Sequence, residues 1–76
     1  MSADKIVRMA NQIALFMESK PHAEGLAGLA GHINDFWEPR MRRQLFALID
    51  AGNPDLRALV MEAAAAIRRP TPEPAH

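Results

Sequence analysis

The stretch Asp4-Lys-Ile-Val-Arg-Met-Ala-Asn-Gln-Ile-Ala-Leu-Phe-Met-Glu-Ser-Lys20, closed by Pro21, decides the fold class. Its apolar residues recur at spacings of three and four, placing Ile6, Ala10, Ile13 and Met17 on one stripe, which is the period of a helix. Ser2 or Asp4 supplies the N-cap, and Pro21 lacks the N–H that would continue the ladder, so a helix is predicted over residues 4–20. Val7 and Ala14 flank the stripe on one side and Met9 and Phe16 on the other, giving an apolar arc of about half the circumference. So wide an arc needs cover from two directions, and the isolated chain is expected to be weakly stable or self-associating.

The same spacing continues downstream with no alternating run that would suggest a strand. A second helix is predicted over residues 23–37, with Leu26, Ala30, Ile33 and Trp37 inward and Leu29 and Phe36 beside them. Within it Gly25, Gly28 and Gly31 recur every third residue. Either they fray the first half of the helix, or they form an edge opposite the core that lets another backbone approach closely. A third helix starts at Pro39, well suited to the first helical position, and ends at Gly52, with Met41, Leu45, Leu48 and Ile49 as its core stripe. Asn53-Pro54 then reads as the cap and first position of a fourth helix, whose stripe is Leu56, Leu59, Val60, Ala63 and Ile67. The expected fold is all-α: a small bundle of about four short helices in one domain, residues 1–69, with an extended, flexible Pro-rich tail over residues 70–76.

Composition narrows the function. The chain has 76 residues, no cysteine, and nine Lys+Arg against nine Asp+Glu. A fold this small buries only about 60% of the surface its unfolded chain exposes, and with no disulfide or thiolate metal site to help, a partner protein is the expected source of extra stability. Zero net charge counts against a protein devoted to neutralising phosphates. The N-terminal stretch has no uninterrupted apolar core of a signal peptide, and nothing approaches the roughly 18 apolar residues of a bilayer span, so a cytoplasmic protein with no membrane partner is expected.

No catalytic or metal-binding residues emerge. His22, His32 and His76 form no pair three or four residues apart, and no base is predicted beside Ser2, Ser19 or Thr71. The informative residues are of the kind that bind partners. Arg40, Arg42 and Arg43 crowd the first turn of the third helix, where cations oppose the helix dipole. Either Asp35 and Glu38 compensate them locally, or they meet an acidic surface on a partner. Phe46 is expected about 120° from the centre of the core stripe, one turn beyond Arg42, so an arginine and an aromatic would share an outer face. On the first helix Leu15 projects nearly opposite the core, bordered by Arg8, Asn11 and Gln12, as in an apolar centre with a polar rim.

Two blocks carry a family resemblance: Lys5-Ile-Val-Arg-Met-Ala-Asn-Gln-Ile-Ala14 and His32-Ile-Asn-Asp-Phe-Trp-Glu-Pro-Arg-Met-Arg42. With the leucine- and alanine-rich last helix they resemble the delta subunit of cytoplasmic, NAD-dependent, molybdenum-containing formate dehydrogenases of bacteria. The resemblance implies a non-catalytic subunit with no cofactor of its own, docked on a large catalytic (alpha) subunit within a complex that also has beta and gamma subunits. That complex would carry molybdopterin guanine dinucleotide, iron–sulfur clusters, FMN and NAD, and would oxidise formate to carbon dioxide. Interface roles then fall to Arg8, Asn11 and Gln12 in the first block and to Trp37, Arg40 and Arg42 in the second, with Trp37 serving the core first.

Two other readings compete. The short Gly-Asn-Pro turn between the last two helices could pass for a helix-turn-helix in a small nucleic-acid-binding protein, although the outer face after Arg57 is mostly Ala58, Glu62 and Ala65, poor material for reading base edges. A free assembly chaperone that helps insert cofactor is the other.

Overall fold

The computed structural model describes residues 2–70, which form four α-helices and one 3-10 turn, with no strand among them. Helix α1 spans Ala3–Met17, α2 His22–Phe36, α3 Pro39–Asp50 and α4 Ala58–Ala63, and the 3-10 turn Ala64–Ala66 continues from α4. The all-α expectation holds; the expected tail beyond Pro70 lies outside the described residues.

Ser2, not Asp4, caps α1: its side chain accepts a hydrogen bond from the Lys5 backbone N–H at 3.3 Å. The helix stops three residues before the predicted end, because the Ser19 hydroxyl donates to the Phe16 carbonyl at 2.7 Å and the chain turns ahead of Pro21. Helix α2 is continuous through its glycines and ends at Phe36, with Trp37 extended. The residue before a proline is pushed out of the helical region, and Glu38 before Pro39 has ψ 155. Helix α3 closes with the two hydrogen bonds of a Schellman turn, Asn53 N–H to Leu48 O and Gly52 N–H to Ile49 O, around Gly52 at φ 69.

The fourth helix departs most from expectation, since it begins at Ala58 and not at Pro54. The Asn53 side chain accepts from the Asp55 N–H at 2.8 Å, a local turn that competes with helix, and Arg57 is held extended at ψ 150. Leu56, Leu59, Val60, Ala63 and Ile67 are nonetheless all buried, as the sequence pattern requires.

Helix α1 packs against α2, α3 and α4, and α2 also packs against α4 and the 3-10 turn. The α1 stripe runs through Ile6, Ala10 and Ala14, with Ile13 and Met17 half-buried at its edge. Gly25 explains part of the glycine pattern: a Cβ there would collide with the Met17 carbonyl oxygen, so the close approach is between α1 and α2. A Cβ on Gly28 would meet only the flexible Met17 side chain, and Gly31 faces open space.

Candidate partner interface

The residues singled out from the sequence separate into those that hold the fold together and those that face outward. Asn11 belongs to the first group. Its Nδ2 donates to the Asp55 carbonyl at 2.8 Å and its Oδ1 accepts from the Arg57 N–H at 2.9 Å, bracketing buried Leu56. Asn34, which the sequence reading did not single out, does the same on α2. Its Nδ2 donates to the Ala66 carbonyl at 3.0 Å and its Oδ1 accepts from the Arg68 N–H at 2.7 Å, bracketing buried Ile67. The signal that could have found both is a helix-interior asparagine, a poor helix former, on the flank of an apolar stripe.

Arg42 is likewise engaged internally. Its Nε donates to the Trp37 carbonyl at 3.4 Å and its guanidinium reaches the Arg68 carbonyl at 2.6 Å. It thus relieves two backbone oxygens rather than pairing with Asp35 or Glu38. Trp37 is in the core, as expected.

Phe46 corrects the sequence reading outright. It is 3% exposed and belongs to the core with Leu45, while Met41, Leu48 and Ile49 are only half-buried. The cover comes from beyond the fourth helix: the Arg69 guanidinium lies 4.0 Å from the Phe46 ring centre and pairs with Asp50 through two contacts of 3.0 and 3.1 Å. A helical wheel gives the angle of Phe46 but not what returns to cover it. Arg42 and Phe46 therefore form no outward aromatic–arginine pair. Beside this cover lies an open cavity of about 320 Å³, lined by Arg43, Phe46, Ala47, Asp50, Arg69 and Pro70.

The outward group is Arg8, Gln12 and Leu15 on α1 and Arg40 on α3, all exposed, with Arg43 half-buried. Leu15 is 59% exposed, and Phe16 beside it 62%. Lys20 Nζ lies 5.4 Å from the Phe16 ring centre. At the C-terminal end of α1, Arg57 grips both oxygens of Glu18 at 2.7 and 2.8 Å. That hydrogen bonding holds the Glu18 carboxyl below its ordinary range, as Arg69 does for Asp50. The large exposed aromatic elsewhere is Phe36, 72% exposed and 4.9 Å from the His32 ring. Among the described residues no three His, Cys, Asp or Glu side chains gather as a metal site, and no helix is long and apolar enough to cross a membrane.

The fold thus defines a small helical domain in which Asn11, Asn34 and Arg42 bond to the chain's own backbone and whose α1 presents Leu15 and Phe16 outward. The family model for the NADH-dependant formate dehydrogenase delta subunit, FdsD, matches residues 5–64, and the chain belongs to that family. Both sequence blocks, residues 5–14 and 32–42, lie inside the matched span. No curated protein matches the chain.

Proposed function

We propose that this chain is a non-catalytic delta subunit that docks on the large, molybdenum-bearing alpha subunit of a cytoplasmic NAD-dependent formate dehydrogenase and supports its assembly, cofactor maturation or stability. The observation that carries the reading is the family match over residues 5–64. The iron–sulfur clusters would reside in other subunits, since this chain has no cysteine to hold one, and molybdopterin guanine dinucleotide, FMN and NAD are assigned with them to the alpha, beta and gamma subunits. The arginines that suggested nucleic acid are partly committed to the fold: Arg42, Arg57 and Arg69 each bond to a carbonyl or carboxylate of the chain itself.

The test is to delete this chain from a strain making the complex, then measure formate-dependent NAD reduction and the molybdenum content of the purified enzyme. The expected result is a loss of both, with the wild-type chain copurifying with the alpha subunit. A one-to-one ratio identifies a resident subunit, and a chain present only on molybdenum-free enzyme a maturation factor. Normal activity without the chain, together with its absence from the purified complex, overturns the reading.

A further inference from the structure

Lys5, Arg8, Gln12 and Leu15 follow one another at steps of three, four and three along α1, so they form a single stripe about 15 Å long at 1.5 Å per residue. Phe16 widens the stripe at its apolar end, and Lys20 stands over the Phe16 ring. All six residues are exposed. The other side of α1 carries the packing against α2, α3 and α4, so the fold makes no use of this stripe.

Its charge is predominantly positive. Among the described residues no carboxylate lies within ion-pair distance of Lys5, Arg8 or Lys20. Glu18, three residues beyond Leu15 and so beside it, is neutralised by the Arg57 guanidinium. Counting Asp4, four residues before Arg8, this face carries three cations against one acid outside the Glu18–Arg57 pair, around two apolar side chains, in a chain of zero formal net charge. Long-range complementarity steers such a face to an acidic surface, while burial of Leu15 and Phe16 supplies the anchor.

We infer that the outward face of α1 is the docking surface of this chain, and that it seats on an acidic protein surface with an apolar recess for Leu15 and Phe16. The inference rests on the proposed delta-subunit role and locates that contact. A second copy of the chain is disfavoured as the occupant by charge: a two-fold contact through this face, parallel or antiparallel, sets one net positive surface against another. The Phe36 end of α2 is a poorer candidate, because its aromatic already stacks on His32 and its sequence neighbours are Asp35 and Glu38.

The experiment uses the whole complex with a tagged alpha subunit, co-produced with full-length variants of this chain and washed at rising salt. Leu15→Ser/Phe16→Ser is expected to weaken retention about thirtyfold, the equivalent of about 2 kcal/mol for a pair of interface anchors. Lys5→Glu/Arg8→Glu is expected to lose the chain even at low salt, and Lys5→Arg to behave as wild type. Phe36→Ser should be retained normally. Circular dichroism of each free variant should match wild type, since every substituted side chain is exposed. If the wild-type chain is itself not retained, the delta-subunit role fails and the inference with it. If the wild type is retained and both double variants are retained equally, only the location on α1 is overturned. Loss confined to Phe36→Ser overturns it as well. A wild-type dimer that Leu15→Ser/Phe16→Ser makes monomeric, or salt-sensitive binding to a labelled DNA duplex that Lys5→Glu/Arg8→Glu abolishes, assigns the face to a different occupant and overturns the proposal.

Discussion

Asn11 on α1 and Asn34 on α2 grip the closing segment of the chain in the same way, each accepting from one backbone N–H and donating to the carbonyl two residues before it. The residue enclosed by each grip, Leu56 in one and Ile67 in the other, is buried. A carboxamide suits this task because it offers a donor and an acceptor side by side. Asn11→Ala and Asn34→Ala are each expected to lower stability by about 1 to 3 kcal/mol, the sum of two ordinary hydrogen bonds. Asn11→Asp should be no better than alanine, since it cannot donate to the Asp55 carbonyl at neutral pH. Urea unfolding of the single variants checks this; changes within error of zero would mean that water replaces the grip without cost.

Phe46 and Phe36 should behave as opposites. Phe46→Ala removes a core ring and the surface on which Arg69 rests, and is expected to cost about 3 to 5 kcal/mol. Phe36→Ala, at a site 72% exposed, should stay within about 0.5 kcal/mol of wild type. Where Phe46→Ala fails to fold, Phe46→Leu gives a measurable midpoint, still lowered. Equal midpoints for the Phe46 and Phe36 variants would contradict the covered position of Phe46.

The glycines divide similarly. Gly25→Ala forces α1 and α2 apart at the Met17 carbonyl and should lower the melting temperature. Gly31→Ala meets nothing and replaces the poorest non-proline helix former in mid-helix, so it should stabilise by about 0.5 to 1 kcal/mol. Thermal melts of the two variants should move in opposite directions.

Acid should loosen the fold at two known points. Glu18 and Asp50 have folded pKa values below their ordinary 4.5 and 3.8, chiefly through hydrogen bonds from Arg57 and Arg69. A carboxylate lowered on folding stabilises fully above its unfolded pKa, and that contribution disappears as pH falls through the folded value. The double variant Glu18→Gln/Asp50→Asn lacks it at every pH. The melting temperatures of wild type and variant should therefore differ at pH 7, draw together below about pH 4, and differ less at high salt because both pairs are exposed. A gap that is constant from pH 7 to pH 2 contradicts this.

Helix number, the Pro39 start and Gly52 close of α3 and the last apolar stripe were legible because they depend on local chemistry and a fixed period. The start of α4 was not, since Asn11 reaches across from a distant helix to hold Arg57 extended. The outward placement of Phe46 failed for a related reason: Arg69, the last residue of the expected domain before the tail, folds back over it. Of the interface candidates, Asn11, Trp37, Arg42 and Phe46 lie within the fold's own bonding or core. Arg8, Gln12, Leu15 and Arg40 stand exposed where the helical period put them.

The two asparagine grips also act as a gauge of alignment. They come from different helices, while the chain between the enclosed residues Leu56 and Ile67 has a fixed length set largely by α4 and the 3-10 turn. If α2 slid along α1 by one helical turn, about 5.4 Å, Asn34 would miss the Ala66 carbonyl while Asn11 still held Asp55. Six residues and one 3-10 turn are too short to persist as a helix by themselves. Order in the closing segment is therefore conditional on the correct offset of the first two helices, and its amide hydrogens should exchange as soon as that offset is lost.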